Sequence, residues 1–290
     1  MYNNEDFLNK KNKKKTHLKF LDKFSKSKVY VSKTTGLLFH DDFKSSEKVA
    51  GLWSKNFKKN TNVKKGYYTS NNPNMMARHV YCVEFIRKNI KKIKEKSICD
   101  FGAGEGNLLK YFNKFYNHKN LYAVEHSKKN CEIIKRKLSI NKKNIVNKSI
   151  ENSKYFFNRK KIDIGIMTWT LCNCSEPINV TKTIYSILKK NGYLLVAESS
   201  RILVPFKKPI FNFFGSGKGY MHPWYFSYNS LRNLLITNGF QLVAKNDFRN
   251  ENDLILLFKK KNKKQKIKID NPKKVVKFMK EWVNYSKKIS

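Results

Sequence analysis

The chain has 290 residues, of which 40% are hydrophobic and 14% aromatic, so it can bury a sizeable core and does not belong to the disordered class. It has no apolar run near the roughly 18 residues that cross a bilayer, and no basic stretch leading into an apolar one at its start. We therefore expect neither a transmembrane helix nor a signal peptide. The five cysteines include no C-x-x-C pair, which argues against a disulfide framework or a zinc knuckle and favours a reduced, cytoplasmic setting.

The formal net charge of +41 bears on the partner. Such a charge attracts anions, either a polyanion such as RNA or a small anionic substrate. Lys and Asn are abundant everywhere, however, while Arg is scarce, and a specific nucleic-acid surface tends to use Arg for bidentate and stacking contacts. We therefore favour a small, anionic acceptor over nucleic acid.

Residues 1–74 read as an amino-terminal extension. A Lys-rich start with one apolar stripe leads to a hairpin predicted over 29–39, with its turn at 34–36. A helix is predicted over 45–60 and a polar loop over 67–74. A further helix over 75–90 then delivers the chain to the first strand of the main domain.

From residue 97 the pattern alternates strand and helix, which predicts an α/β, doubly wound sheet with helices on both faces. The predicted strands lie near 97–101, 120–125, 143–147, 162–168 and 192–198, and the helices near 105–116, 127–140, 150–157 and 178–190. Two antiparallel strands at 240–248 and 253–259 complete a mostly parallel sheet of seven strands. The main domain is thus predicted to span 75–260.

Two segments lie outside this alternation. The run 204–220 is too long for an ordinary connector and predicts a lid or active-site loop, followed by a helix over 227–238. The tail 261–290 is a Lys run and then an amphipathic helix. Its apolar face is expected to pack on the body or on a second subunit, so a homodimer stays open.

The most informative stretch is Asp100-Phe101-Gly102-Ala103-Gly104-Glu105-Gly106, between a short apolar strand and an amphipathic helix. Glycines at alternate positions let the backbone turn tightly at the end of a strand and let a ligand lie against the loop. The helix that follows points free N–H groups at the same place. Glu125 ends the next strand, about 20 residues on, where a carboxylate can accept hydrogen bonds from ribose hydroxyls.

Together these features resemble the first two motifs of class I S-adenosylmethionine-dependent methyltransferases. The resemblance implies their Rossmann-like fold and S-adenosylmethionine as cofactor. It places Asp100 at the loop or at the methionine end of the cofactor, Glu125 at the ribose, His126 beside the adenine, and the segment after the third strand on the adenine ring. The cofactor-binding residues so implied are Asp100, Phe101, Gly102, Ala103, Gly104, Gly106, Glu125, His126, Ser149, Ile150, Thr168 and Trp169.

The run 168–174, Thr-Trp-Thr-Leu-Cys-Asn-Cys, resembles the fourth motif of that family, at the sheet edge that faces the transferred methyl. It is not the Asn/Asp-Pro-Pro-Tyr of enzymes that methylate amino groups of nucleic acids, which counts against methylation of a base nitrogen. Cys172 and Cys174 could serve as nucleophiles, as in methylation of a pyrimidine carbon. Small buried residues are the favoured interpretation of both.

The flanks are similar to nucleotide-sugar C-methyltransferases in 67–70, in 76–79 and in 222–227, which reads His-Pro-Trp-Tyr-Phe-Ser. The hairpin resembles their zinc module with Ser32 and Thr35 in place of cysteines, so we expect no metal there. Of their Tyr-His-Glu-His run only His222 remains, and we expect no counterpart of their long carboxyl-terminal domain. Both departures favour methylation of an oxygen, or of another small-molecule site, over methylation of a sugar carbon.

A hydroxyl acceptor needs a general base, and His222 is the first candidate because imidazole titrates near neutrality. Tyr220, Tyr225, Glu198 and His79 could bind the acceptor or orient that base, although each could equally be structural. The predicted function is methyl transfer to a small, anionic acceptor such as a nucleotide-linked or glycan sugar. An RNA methyltransferase and a non-catalytic module that binds nucleic acid or protein on the same fold are the alternatives.

Overall fold

The computed structural model describes residues 14–25, 27–40, 45, 47–49, 51–52, 55, 73–158, 160–199, 202–206, 208–214, 222–247, 253–261 and 265–289. The strands are β1 (Lys15–His17), β2 (Val29–Ser32), β3 (Leu38–His40), β4 (Ile98–Phe101), β5 (Leu121–Val124), β6 (Ile145–Val146), β7 (Ile162–Thr168), β8 (Leu188–Glu198), β9 (Trp224–Tyr225), β10 (Phe240–Lys245) and β11 (Leu254–Lys260). The α-helices are α1 (Pro73–Asn89), α2 (Asn107–Tyr116), α3 (Lys128–Lys137), α4 (Pro177–Ile187), α5 (Ile210–Phe214), α6 (Tyr228–Thr237) and α7 (Pro272–Lys288).

Seven strands form the central sheet, in the order β10-β11-β8-β7-β4-β5-β6. The five strands from β8 to β6 are parallel, and β11 runs antiparallel between β8 and β10. Every residue of β4 and β5 is buried, as expected where helices cover both faces of a sheet. The predicted α/β fold with a mostly parallel sheet of seven strands is confirmed.

Two predicted boundaries are wrong. The helix predicted over 150–157 is only a 3-10 turn at Glu151–Ser153, since Ser153 donates its hydroxyl to the carbonyl oxygen of Ile150 (2.7 Å) and offers the backbone an alternative to an α-helix. The strand predicted from 192 begins at Leu188, directly after α4.

The predicted hairpin is present and belongs to a second, antiparallel sheet, in the order β1-β2-β3-β9. Its turn contains Gly36 at φ +71°, and the Ser32 hydroxyl accepts the N–H groups of Thr34 (3.2 Å) and Thr35 (3.1 Å). Within the described residues, no group of His, Cys, Asp and Glu side chains is placed to hold a metal ion.

The predicted carboxyl-terminal helix is present as α7, and its apolar face is covered by this chain. Val275, Met279 and Trp282 are fully buried in one cluster with residues of the amino-terminal hairpin. The Trp282 ring stacks on Phe206 at 5.7 Å, and its Nε1 donates to the carbonyl oxygen of Lys208 (2.7 Å). Of the two packings expected for this face, the body is the observed one, and the two terminal extensions share a core.

No helix in the described part of the chain is both long and apolar enough to span a membrane. Three predicted segments lie wholly or partly outside the described residues: most of the helix predicted over 45–60, residues 67–72 of the loop predicted over 67–74, and residues 207 and 215–220 of the predicted lid. Residues 73 and 74 of that loop belong to α1 instead. Tyr220 is therefore outside them as well.

Candidate active site

The glycine-rich loop joins β4 to α2 and is tied to the neighbouring strand, because Gly102 and Ala103 both donate their N–H groups to the carbonyl oxygen of Val124 (2.8 and 3.1 Å). Gly102 (φ +81°) faces protein, and a Cβ there would lie 2.6 Å from side-chain atoms of Thr170. Gly104 (φ +55°) faces open space: among the described residues, apart from its two chain neighbours, no atom lies within 4 Å of such a Cβ. The open side of the loop is therefore at Gly104.

Glu125 holds this loop from the end of β5. Its Oε2 accepts the N–H of Gly104 (2.8 Å), and its Oε1 accepts the N–H of Ser127 (2.7 Å) at the start of α3. Burial raises the pKa of Glu125 to about 7, although these hydrogen bonds act in the opposite direction. A ligand that brings further donors would favour the ionised form.

Asp100 lies beneath the same loop. Its carboxyl group is buried, and Oδ1 has no hydrogen-bond partner within the described part of the chain. Burial first, and then the charge of Glu125, raise the pKa of Asp100 to about 7. Buried carboxylate oxygens nearly always have a partner. Two such carboxyl groups beside an open glycine suit a ligand with hydroxyl donors and a positive charge, which are the properties of S-adenosylmethionine.

The positions expected at the adenine lie along the ends of β5 and β6. His126 is exposed, Ser149 is half-buried and Ile150 is buried in the core. Asn147 ties the two strand ends together by donating Nδ2 to the carbonyl oxygens of Glu125 (3.0 Å) and His126 (2.8 Å). A groove continues from there, lined by Val146, Asn147, Lys148, Asn152, Tyr155 and Phe156.

Three other residues expected at the cofactor differ in what they expose: Phe101 and Gly106 face the protein interior, and Thr168 is half-buried at the end of β7. The Phe101 side chain lies in the core, with its ring centroid 6.3 Å from that of Phe157, so only its backbone can line the loop. Gly106 faces Ile134 of α3, 2.9 Å from a Cβ placed on the glycine. At the end of β7, Thr168 is half-buried, and its carbonyl oxygen accepts the Thr170 hydroxyl (3.0 Å).

Trp169 follows β7 in a left-handed backbone conformation (φ +51°). Its N–H donates to the carbonyl oxygen of Ala197 (2.7 Å), and its carbonyl oxygen accepts Nδ2 of Asn173 (3.0 Å). Its indole Nε1 donates to Oδ1 of Asp253 (3.0 Å). Such a conformation costs energy for a residue with a bulky side chain, and these bonds hold it in place.

A second polar group lies at the ends of β7 and β8. Glu198 Oε1 accepts the N–H of Cys172 (3.2 Å), and Cys172 Sγ lies 3.6 Å from Nδ1 of His222. Glu198 is buried, and its Oε2 has no partner within the described residues. Burial raises the pKa of Glu198 to about 7 and lowers the pKa of His222 to about 4. At neutral pH His222 is therefore uncharged, while Glu198 titrates.

The remaining candidates are engaged in packing. The Tyr225 hydroxyl is 2.8 Å from Nε2 of His40, whose Nδ1 is 2.8 Å from the Ser27 hydroxyl. His79 is buried with its ring edge towards Trp169 (5.4 Å), and burial together with the neighbouring Arg78 lowers the pKa of His79 to about 4. The structure thus brings His222 and Glu198 together but places His79 and Tyr225 in aromatic clusters.

Burial also acts on the two candidate nucleophiles. Cys172 and Cys174 are half-buried, and desolvation of their thiols raises the pKa of both well above the ordinary range. The reactive form of cysteine is the thiolate, so these side chains stay as unreactive thiols.

Sequence reasoning missed Arg78 and Asp253. Their side chains pair (2.9 Å) beside Trp169, although they come from α1 and from the start of β11. The signal available was composition, since Arg accounts for only seven of the 62 Lys and Arg residues. An arginine in such a chain indicates a task that lysine cannot perform.

Comparison with known proteins agrees with this architecture. The family described as a methyltransferase domain matches residues 76–245, more than half of the chain, and the chain belongs to that family. The protein is accordingly an enzyme, a methyltransferase with S-adenosylmethionine as its cofactor. Among curated proteins, none matches the sequence.

Solved structures share the fold at low sequence identity. The magnesium protoporphyrin IX methyltransferase of Synechocystis PCC 6803, with bound S-adenosylmethionine, is 12% identical with a TM-score of 0.53, over 76% of this chain and 99% of that one. The [4+2]-cyclase SpnF is 13% identical with a TM-score of 0.59, over 76% of this chain and 98% of that one. A fold that also hosts a cyclase does not define the acceptor.

Proposed function

We propose that the enzyme transfers the methyl group of S-adenosylmethionine to a hydroxyl oxygen of a small, anionic acceptor such as a nucleotide-linked or glycan sugar. The observation that carries this proposal is Glu198, a buried carboxyl group whose pKa is raised to about 7 and whose Oε2 is unpartnered within the described residues. A general base acts best when its pKa is near the working pH. Glu198 meets that condition better than His222, whose pKa is lowered to about 4.

In this proposal the bound cofactor supplies a methyl group already activated by the sulfonium. Glu125 accepts hydrogen bonds from the ribose, and Asp100 faces the positively charged methionine end. Glu198 takes the hydroxyl proton as the oxygen–carbon bond forms and the carbon–sulfur bond breaks, with S-adenosylhomocysteine as the second product. His222 stays neutral and is held through Cys172. The remaining rate acceleration comes from alignment of the reactants and from exclusion of water.

Charge and local similarity support the class of acceptor. The net charge of +41 attracts anions. The element 222–227, which resembles part of the nucleotide-sugar C-methyltransferases, lies against the site through His222 and Cys172 (3.6 Å). All five cysteines are free, in agreement with the proposed cytoplasmic setting.

The first test is isothermal titration with S-adenosylhomocysteine. We expect micromolar binding by the wild-type protein and a loss of tenfold or more in Glu125→Ala, about 1.4 kcal/mol. Glu132→Ala is the matched control, because Glu132 is an exposed glutamate on α3 whose side chain pairs with Lys135 (2.8 Å), away from the loop. Absence of wild-type binding by folded, ligand-free protein would favour the non-catalytic module.

The acceptor is tested by measuring S-adenosylhomocysteine release with nucleotide sugars, sugar phosphates, neutral sugars and RNA. Turnover with the charged sugars but not the neutral ones supports the proposal. Turnover with RNA alone, falling steeply with salt, would replace it with the RNA methyltransferase alternative.

A further inference from the structure

Asp253 organises a cluster that the steps above do not use. Its carboxylate is buried and accepts hydrogen bonds from three elements. Arg78 Nε of α1 binds Oδ2 (2.9 Å), while Trp169 Nε1 after β7 (3.0 Å) and the Ser199 hydroxyl after β8 (2.8 Å) both bind Oδ1. These bonds fix the stem of the Arg78 guanidinium from one side.

The other side of that guanidinium is available. Arg78 uses Nε on Asp253, and its terminal nitrogens have no hydrogen-bond partner within the described part of the chain. The side chain is 26% exposed, and its Cζ lies 5.5 Å from the centroid of the Trp169 ring. The Arg78 guanidinium is thus a planar group with two terminal nitrogen donors, held by the ion pair with Asp253 and by the Trp169 ring. Lysine, with a single ammonium on a flexible stem, cannot present that shape.

The cluster lies beside the cofactor loop. Thr170, the residue after Trp169, packs directly on Gly102, 2.6 Å from a Cβ placed on that glycine. His79, the residue after Arg78, packs edge-on against the Trp169 ring at 5.4 Å. A ligand that lies along the open side of the loop towards the end of β7 therefore comes to Arg78.

We propose that the terminal N–H groups of Arg78 bind a carboxylate or phosphate of the ligands in this cleft, with Asp253 as the positioning residue. The inference rests on the proposed function and deepens it. Paired N–H donors of arginine match the two oxygens of such an anion. The anion has two sources, the carboxylate of the methionine part of the cofactor and an acidic group of the acceptor.

The experiment compares Arg78→Gln and Arg78→Lys with Arg87→Gln in titrations with S-adenosylhomocysteine and with 5′-methylthioadenosine, which lacks the amino-acid part. Arg87 is the matched control, because it lies on the same helix and pairs with exposed Glu84 (2.8 Å). A third titration adds inorganic phosphate to the protein loaded with S-adenosylhomocysteine. Thermal unfolding checks that each variant is folded, and Arg78→Lys keeps the charge next to Asp253.

If the anion belongs to the cofactor, both Arg78 variants lose tenfold or more in affinity for S-adenosylhomocysteine and less than twofold for 5′-methylthioadenosine. If it belongs to the acceptor, both nucleosides bind as in wild type and the variants lose phosphate binding. Folded variants that match wild type in all three titrations would overturn the inference. Failure of the wild-type protein to bind S-adenosylhomocysteine would instead count against the proposed function.

Asp253→Asn separates positioning from charge. It keeps Arg78 but removes the charge that anchors it. We therefore expect whichever ligand the Arg78 variants bind more weakly to bind this variant more weakly too, by a smaller factor than in those variants, with the other titrations unchanged. If Asp253→Asn binds every ligand as wild type does, Asp253 has no positioning role.

Discussion

Alanine substitutions at Gly102 and Gly104 separate the stability of the loop from its proposed use. Both glycines have positive φ, at +81° and +55°, where an L-residue pays about 1–2 kcal/mol. At Gly104 the added methyl meets no atom of the described residues beyond its chain neighbours within 4 Å. We therefore expect Gly104→Ala to destabilise the free protein by only that amount, while its methyl occupies the space in which the cofactor is proposed to lie.

At Gly102 the methyl meets Cγ2 and Oγ1 of Thr170, both at 2.6 Å. Thr170 has little freedom to turn away, because its hydroxyl is bonded to the carbonyl oxygen of Thr168 (3.0 Å). Overpacking of this kind costs a further ~1–3 kcal/mol. Gly102→Ala is thus expected to be the less stable variant, by about 2–5 kcal/mol relative to wild type.

Urea unfolding measures the stabilities, and titration with S-adenosylhomocysteine measures binding. We expect Gly104→Ala to lose tenfold or more in affinity, about 1.4 kcal/mol, while remaining the more stable of the two. Wild-type affinity in Gly104→Ala would refute the reasoning, because the open side of the loop would then not face the ligand. Equal destabilisation by the two variants would contradict the packing argument.

Three further predictions follow from buried groups. Burial raises the pKa of Glu198 from 4.5 to about 7, so the wild type loses stability as pH rises from about 4.5 to about 7, where the unfolded chain ionises and the folded one does not. Glu198→Gln should match wild type in urea unfolding at about pH 4 and exceed it by about 3 kcal/mol at about pH 8. Equal stabilities at the higher pH would contradict this. Trp282→Ala should lose about 3–5 kcal/mol in the same assay, with Trp282→Phe losing less; a loss under about 1 kcal/mol would mean that α7 is not anchored there. Desolvation raises the pKa of the Cys172 thiol, so at about pH 8 it should react with a thiol reagent at least ~10-fold more slowly in native than in unfolded protein. Equal rates would support Cys172 as a candidate nucleophile.

Short-range patterns were sufficient to predict the central sheet. Strands β4, β5 and β7 are short apolar runs between turn residues, and each lies within two residues of its expected bounds. The boundary between α4 and β8 was missed because the chain enters the strand at Leu188 without a connector. The 3-10 turn at Glu151–Ser153 was missed because a side-chain hydrogen bond, rather than periodicity, decided it.

In the candidate site, too, local sequence predicts some residues and tertiary packing decides the others. Asp100 and Glu125 could be predicted because a strand–loop–helix unit fixes where its carboxylates stand relative to its glycines. The pairing of Arg78 with Asp253 could not, because α1 and β11 come together only when the whole sheet has formed. The properties of His222 also depend on packing, since burial lowers its pKa to about 4 and removes the titration near neutrality that made it the first candidate.

The amino-terminal hairpin and the carboxyl-terminal helix α7 bear on the site because both hold the segment that carries His222. Strand β9 begins two residues after His222 and is paired on one edge with β3, through Leu38 with Tyr225 and Phe39 with Trp224. The N–H of His40 also donates to the carbonyl oxygen of Pro223 (3.0 Å), so the residue next to His222 is fixed by the amino-terminal hairpin. On the other side, Tyr225 packs in the cluster that includes Trp282 of α7. The distance between His222 and Cys172 is therefore set by both terminal extensions. Loosening either extension should disturb the His222 segment before the glycine-rich loop, whose N–H groups are bonded to Val124 of β5 and to the Glu125 carboxylate.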